Sequence, residues 1–332
     1  MTGPDEPHAP AAMPGRNLPP VVLIAGPTAS GKSELAVRLA ERLGGDVVNA
    51  DSMQVYAELC VLTARPDDAA LARAPHHGYG MRPGGAPMSA ALWADWARRT
   101  VIEVRDRGRV PVLVGGTGLY FHALEHGLAD VPAVPADVRA AAGARHAELG
   151  PAGFHAELAR FDPVSAARLA PGDTQRVLRA WEVWHGTGRP LSAWQAEGHG
   201  GGLPGPVVRA VVMPERAVSR ARIADRFAAM VKGGALEEVA ALLARDLDPG
   251  LPVMKALGVR PLADHLAGNL DLEEAVRRAV FETGRYAKRQ ATWARGRMAH
   301  WKWLDAQQME SMEADILSII VESWVDRETK GR

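Results

Sequence analysis

The run Gly26-Pro27-Thr28-Ala29-Ser30-Gly31-Lys32-Ser33 satisfies G-x-x-x-x-G-K-[ST] at every fixed position, the pattern of ATP-binding and other nucleotide-binding loops. Its glycines let successive backbone N–H groups point into one concavity, and the helix that follows adds the partial positive charge of its N-terminus. Lys32 is placed to reach an outer phosphate, and Ser33 to hold a Mg²⁺. Such a loop binds a di- or triphosphate without saying which. An enzyme that splits a nucleoside triphosphate normally has an apolar strand nearby that ends in a Mg²⁺-holding Asp. Here Val112-Leu113-Val114 ends in Gly115-Gly116-Thr117, and the nearest strand-end acid is Asp51, followed by Ser52. An Asp there can orient a metal-bound water, accept a proton from an incoming nucleophile, or cap a turn. Residue types alone leave these three open.

The elements that must position these residues can be read from the hydrophobic pattern. Val21 to Ala25 is a β-branched-rich run closed by Gly26, the look of a buried parallel strand. From Ser33 the period becomes helical, with Leu35, Leu39 and Leu43 on one face and Gly44-Gly45 as the stop. Residues 46–51 read as a second strand, Ser89 caps a helix that runs to Gly108, and residues 110–114 form a third strand. This alternation predicts an α/β fold, a P-loop NTPase-like parallel sheet core. In parallel sheets the C-terminal strand ends line one crevice, so Asp51, Thr117 and the phosphate loop are expected to converge.

Beyond about Leu124 the rhythm changes. Residues 136–196 are rich in Ala, Arg and Leu and read as helices broken at Pro151, Pro163 and Pro171-Gly172, and Val207 to Val212 resumes a strand. The expected organisation is a disordered leader (1–20), a first part of the core (21–123), a helical insertion (124–203), a second part of the core (204–304) and a polar helical tail (305–332). Residues 273–303 read as a long helix ending at Gly296 in a Trp-rich turn.

The chain has 332 residues, enough for a core and one accessory unit, and its 39 basic and 39 acidic residues balance. That balance argues mildly against a nucleic-acid partner, although binding depends on the local field. Cys60 is the only cysteine, so neither a disulfide nor a cysteine zinc cluster can form within the chain, which fits a reducing cytoplasm. No apolar run approaches a membrane span, and the six prolines of residues 1–20 do not resemble a signal peptide.

Six segments in order carry a more specific signal: the phosphate loop; Asp51-Ser52-Met53-Gln54-Val55-Tyr56; Gly115-Gly116-Thr117-Gly118-Leu119-Tyr120; Asp173-Thr174-Gln175-Arg176-Val177-Leu178-Arg179-Ala180; Lys255-Ala256-Leu257-Gly258-Val259-Arg260; and Ala287-Lys288-Arg289-Gln290-Ala291-Thr292-Trp293. Over about residues 20–304 the chain resembles the bacterial tRNA dimethylallyltransferase family. The resemblance implies a kinase-like core that takes dimethylallyl diphosphate in place of ATP, with Mg²⁺, and a helical insertion that grips the anticodon arm of tRNA. It implies Asp51 as general base towards the exocyclic amine of the adenosine 3′ of the anticodon. Thr28, Lys32 and Arg226 would hold the diphosphate, with Arg226 and Thr117 counted among the catalytic groups. The tRNA contacts would be Asp51, Ser52, Met53, Gln54, Thr117, Arg139, Gln175, Arg176, Val177, Leu178, Arg179, Lys255, Arg260, Lys288 and Arg289. No membrane and no obligatory protein partner are implied. The chain departs from the family at Ala57-Glu58, where many members have a basic residue and Gly, and at Val61-Leu62-Thr63, where it lacks a Gly before the Thr. These changes bear on the path of the loop and not on the chemistry.

Residues 273–303 hold eight Lys or Arg against three acids, interleaved with Phe281, Tyr286, Trp293, Trp301 and Trp303. A basic stripe beside aromatics suits a phosphate backbone and a stacked base, and it equally suits a solvated helix with its aromatics in the core. Trp181, Trp184 and Trp194 read as packing of the insertion, and His76-His77 as a polar loop with no third metal ligand. Two other functions stay open on residues alone: a P-loop nucleotide or small-molecule kinase, and an RNA-binding P-loop protein without catalysis.

Overall fold

The computed structural model describes residues 18–197, 200–306 and 308–330, with the side chains of 321–330 left out. Of the leader expected over residues 1–20, residues 1–17 lie outside the described residues. The first elements are β1 (Val21–Ala25), α1 (Lys32–Leu43), β2 (Asp46–Asn49), α2 (Asp68–Arg73), β3 (His76–His77), α3 (Ala90–Asp106), β4 (Pro111–Gly115) and α4 (Gly118–His126). Four helices follow: α5 (Ala136–Leu158), α6 (Pro163–Arg168), α7 (Thr174–Thr187) and α8 (Leu191–Ala196). The chain closes with β5 (Val207–Met213), α9 (Arg216–Lys232), α10 (Ala235–Leu243), α11 (Val259–Leu266), α12 (Leu272–Arg297), β6 (Lys302–Asp305) and α13 (Met309–Lys330).

All six strands run parallel in the order β3-β2-β4-β1-β5-β6. β1 is central, with Ile24 level with Val114 of β4 and Ala210 of β5, and Val21 to Ile24 are fully buried. A parallel sheet needs cover on both faces, and the period of two supplies an apolar residue to each. Val22, Ile24, Val112, Val114, Val208, Ala210 and Val212 form one core with Leu35 and Leu39 of α1. On the opposite parity, Leu23, Leu113 and Val211 are buried, as are Trp93, Ala97, Val101 and Val104 of α3. β1 is flanked by strands on both sides, so the loop after it opens at the point where the strand order reverses, where α/β sheets bind ligands.

The chain divides into two compact units, residues 1–121 with 203–332, and residues 122–202. The second unit is helical. Its core is Ala142, Phe154, Leu158, Ala166, Val177, Ala180 and Trp181, and Trp184 stacks on Phe161 at 5.3 Å. The buried carboxylate of Asp162 accepts the Ser165 N–H at 3.0 Å and the Ser192 N–H at 3.1 Å, so one side chain fixes the starts of both α6 and α8. α5 breaks at Gly150, whose φ of 67° suits glycine, one residue before Pro151.

Four segments differ from the sequence reading. β2 stops at Asn49 rather than Asp51, because the Asn49 side chain bonds the backbone of Asp51 and turns the chain out of the sheet. His76-His77 is an edge strand rather than a loop, with the His77 ring 2.8 Å from the buried Asp46 carboxylate. α12 ends at Arg297, and the Trp-rich turn contains β6, paired to β5 through Trp303 and Val211. Within the segment expected as a polar tail, Met312, Ile316 and Ile320 of α13 are buried and complete the core against α1 and the sheet. Their spacing of four is a helical stripe. Among the described residues no helix is long and apolar enough to cross a membrane.

Ile316 is 0% exposed, so Ile316→Ala should lower the unfolding free energy by about 2–4 kcal/mol. Urea titration followed by far-UV circular dichroism measures this, and a change below about 0.5 kcal/mol would show that α13 adds nothing to the core.

Candidate active site

The phosphate loop owes its shape to residues that accept unusual backbone angles and close approach. Ala29 and Gly31 have φ of 60° and 90°, and a Cβ at Gly26 would lie 2.5 Å from the carbonyl oxygen of Val212 in β5. Lys32 Nζ folds back to donate to the Pro27 carbonyl at 3.2 Å, and Ser33 stands exposed on the first turn of α1. The loop residues 29–33, together with Arg222, Arg226 and Met309, line a cavity of about 440 Å³.

Beside it lies a second cavity of about 250 Å³, whose lining includes Thr28, Asp51, Arg226, Lys255, Tyr286 and Arg289. Arg226, on α9, borders both cavities and donates to the Thr28 hydroxyl. Asp51 is held by a short polar turn. Its N–H donates to Asn49 Oδ1 at 2.8 Å, Asn49 Nδ2 donates to its carbonyl at 3.1 Å, and its Oδ1 accepts the Met53 N–H at 2.9 Å. Oδ2 is thereby left for whatever occupies the cavity. Thr117 braces the same turn, because its hydroxyl oxygen accepts the Ser52 N–H at 2.9 Å and lies 3.2 Å from Ser52 Oγ. The crevice therefore brings together Thr28, Asp51, Ser52, Thr117 and Arg226.

The third wall is α12, whose part the sequence alone does not disclose. Gln290 Oε1 accepts the Thr28 N–H at 2.9 Å while its Nε2 donates to the Gly116 carbonyl at 2.9 Å. A Cβ at Gly116 would sit 2.0 Å from Gln290 Nε2, one at Gly118 2.1 Å from Trp293 Nε1, and one at Gly115 2.0 Å from the Ala50 carbonyl oxygen. The glycines in and after the end of β4 are thus required by close approach of α12 and of Ala50, the residue after β2. Thr283, Tyr286, Gln290 and Trp293 recur every three or four residues, the face opposite part of the basic stripe, and that period adds to the motif that already contains Gln290 and Trp293.

Electrostatics mark the site. Lys32 keeps a solvent-accessible edge yet is crowded by protein. Burial pushes its pKa down to about 8 against the pull of Asp51, and Arg226 pushes the same way as burial. Arg226 is itself lowered by burial, with Asp51 opposing, and the phenol of Tyr286 is raised by burial and then by Asp51. Two crowded cations share one carboxylate, so the site favours a further anion. Among the described residues no three His, Cys, Asp or Glu are grouped to hold a metal. Ser33, exposed on the first turn after the phosphate loop, would offer its hydroxyl to a divalent cation.

The other candidate residues divide by position. Lys255 ends a short 3-10 turn (Val253–Lys255) and lines the cavity, Arg260 is exposed on α11, and Arg289 lies over the Tyr286 ring with its guanidinium carbon 5.4 Å from the centroid. Lys288 faces another way, into a groove of about 830 Å³ between α9 and α12 that also carries Arg216, Arg220, Arg277, Arg285 and Arg295. Gln54 points away from the cavity, where its Nε2 donates to the carbonyls of Thr63 and Ala64 at 3.0 and 2.9 Å and braces that loop. In the helical unit Arg139 is exposed at the start of α5, and Gln175 and Arg176 are exposed on α7. Arg176 pairs with Asp173 at 3.0 Å and Arg179 with Glu182 at 3.7 Å. Val177 is buried in that unit's core, and the half-buried Leu178 packs on it.

The family model described as IPP transferase matches residues 54–297, and one described as Isopentenyl transferase matches residues 19–75. A tRNA dimethylallyltransferase of Parvibaculum lavamentivorans is 54% identical over 301 residues, 90% of this chain and 95% of that protein. One from Rhodospirillum centenum is 56% identical over 281 residues, 84% and 90% of the two chains. The crystal structure of the full-length tRNA isopentenylpyrophosphate transferase of Bacillus halodurans superposes with a TM-score of 0.68 at 32% identity, covering 94% of this chain and 99% of its own. A eukaryotic dimethylallyltransferase, captured acting on tRNA, gives a TM-score of 0.74 at 25% identity, covering 88% and 75%.

Because burial pushes the Lys32 pKa down to about 8, binding of diphosphate beside it should raise that pKa and make Lys32 take up a proton. Affinity for inorganic diphosphate should then fall above pH 8 by up to about tenfold per unit relative to Lys32→Met, which lacks the titrating amine. Calorimetry in buffers of different ionisation enthalpy reads the proton uptake, and an identical pH slope in the variant would refute this account.

Proposed function

The chain belongs to the IPP transferase family, the tRNA dimethylallyltransferases, and we propose that it moves the dimethylallyl group of dimethylallyl diphosphate onto the exocyclic amine of the adenosine 3′-adjacent to the anticodon. The observation that carries this reading is the meeting of Asp51 with Thr28, Lys32 and Arg226 in one crevice, beside a β4 end built of glycine. A phosphoryl-transfer site would place a metal-holding carboxylate at that strand end. Allyl transfer needs something else. It needs anion stabilisation at the leaving group and a base at the nucleophile.

The adenine amine is a weak nucleophile because its lone pair is delocalised into the ring. As the lone pair bonds to C1 of the allyl group, the C1–O bond breaks and its electrons leave on diphosphate. Lys32, the Arg226 guanidinium, the Thr28 hydroxyl and the loop N–H groups receive that charge, preorganised and partly shielded from water. The amine's proton passes to Asp51, which its polar turn already aims. A Mg²⁺ held by Ser33 and the diphosphate oxygens would neutralise the leaving group further. The target base must leave its stack to reach this crevice, and Thr117 and Tyr286 offer hydrogen-bonding groups beside the place it would take.

For the RNA itself, two basic surfaces support the reading. One is the α9–α12 groove with its six cations, and the other is the exposed Gln175 and Arg176 of α7 with the half-buried Arg179 beside them in the helical unit, together with Arg139 on α5. Local patches of this kind reconcile a polyanionic substrate with zero net charge. A cytoplasmic location fits a tRNA substrate and a lone exposed thiol.

The purified protein, given unmodified tRNA, Mg²⁺ and labelled dimethylallyl diphosphate, should yield labelled N6-(dimethylallyl)adenosine and diphosphate on nucleoside analysis. ATP turnover without prenylated adenosine would overturn the assignment in favour of a kinase. Asp51→Asn should lower turnover by about 10²–10⁴-fold while tRNA and diphosphate still bind, and near wild-type turnover would remove Asp51 as the base. Replacing Arg176 and Arg179 by Ala should weaken tRNA binding and flatten its salt dependence by about one unit of slope for each phosphate no longer neutralised. Filter binding at several salt concentrations tests this, and an unchanged slope would make them ordinary solvated residues.

A further inference from the structure

An allylic diphosphate, the donor on which the preceding reading rests, is a charged head on a branched apolar tail, and α9 displays the same order. Arg226 is followed by Phe227 and has Ile223 and Met230 three and four residues away on its face. These three apolar side chains are buried and line the same cavity as Thr28, Asp51 and Arg226. Leu62, also buried, lines that cavity as well. A Cβ at Gly258 would lie 2.9 Å from Leu62 Cδ1 and 2.9 Å from Phe227 Cε2, so both side chains pack closely on the backbone of Gly258.

Leu62 is also fixed from behind. Its N–H donates to Glu238 Oε2 at 2.8 Å, the Val61 N–H donates to Glu238 Oε1 at 2.8 Å, and Gln54 holds the next two carbonyls. Glu58 adds a brace by accepting the Gly84 N–H at 2.8 Å and pairing with Arg245. Glu58 and Leu62 are the positions at which the chain departs from the family's glycines. The apolar part of the cavity wall is made by Leu62, Ile223, Phe227 and Met230. A purine edge placed there would leave ring nitrogens unpaired, whereas a hydrocarbon loses nothing. The polar residues on the other side, Asp51, Tyr286 and Arg289, suit the base.

We propose that Leu62 and Phe227 form a fixed end wall for the donor's hydrocarbon tail and restrict this enzyme to five-carbon allylic diphosphates. A ten-carbon donor adds a whole isoprene unit, which fits only if one of these side chains is displaced from a packed position.

The test compares dimethylallyl and geranyl diphosphate as donors to unmodified tRNA, with nucleoside products quantified by mass spectrometry. Leu62→Ala and Phe227→Ala should each raise the geranyl-to-dimethylallyl ratio of kcat/KM by about tenfold or more, with little change in KM for tRNA. Leu62→Phe should do the opposite, depressing dimethylallyl transfer while sparing tRNA binding. If the Ala variants fold poorly in a thermal melt, Leu62→Val and Leu62→Phe give the same graded comparison. A donor ratio that stays constant across the series while dimethylallyl transfer persists would overturn the proposal. So would a raised KM for tRNA with no change in donor ratio, because it would put the base against Leu62. A wild-type protein that transfers no dimethylallyl group would overturn the underlying function instead.

Discussion

The carboxamide of Gln290 ties together the three pieces of backbone on which the crevice depends. Its oxygen takes the N–H of Thr28 and its nitrogen gives to the carbonyl of Gly116, so α12 is fastened at once to the phosphate loop and to the end of β4. An amide can do this because it is donor and acceptor in one plane, and a carboxylate or an amine would leave one of the two backbone groups unpaired. The fastening works only at close range. That is why the strand end is glycine at 115, 116 and 118, where any Cβ would meet Ala50, Gln290 or Trp293.

From that constraint the electrostatics follow. Glycines at the end of β4 leave no carboxylate there, so the crevice holds the cations of Lys32 and Arg226 against Asp51. Burial lowers the affinity of both cations for their protons and gives them a strong preference for an anion. Asp51 stays aimed because Asn49 and Met53 hold its turn from within and Thr117 braces Ser52 from the neighbouring strand end. A crevice that sets two crowded cations beside one aimed carboxylate is the consequence.

The surroundings show how one residue type can serve different ends. Gln175 and Arg176 face solvent on α7, while Val177 between them and Arg179 is sealed in the helical unit's core, as the helical period requires. On α12 the same period sends Tyr286 and Arg289 to the small cavity and Arg285 and Lys288 to the wide groove. α13 covers the sheet on the side of α1, so a segment rich in charge still contributes Met312, Ile316 and Ile320 to the core.

By itself the sequence determined the phosphate loop, the strands around it, the candidate base and the family, because each depends on local chemistry or on an ordered run of motifs. Glycine spacing, β-branched runs and a strand-end acid are all short-range signals. The order of the strands, the edge strand at His76-His77 and β6 were decided only in three dimensions, since two to four residues carry too little periodicity to announce a strand. The reason for the glycines after β4 lies in Gln290, 174 residues beyond Gly116, and in Trp293, a separation that no local pattern spans. Gln54, Val177 and Leu178 make the same point from the other side. They stand inside motifs that the family resemblance assigns to RNA, and only the fold shows the hydrogen bonds of the Gln54 side chain and the packing of Val177 and Leu178.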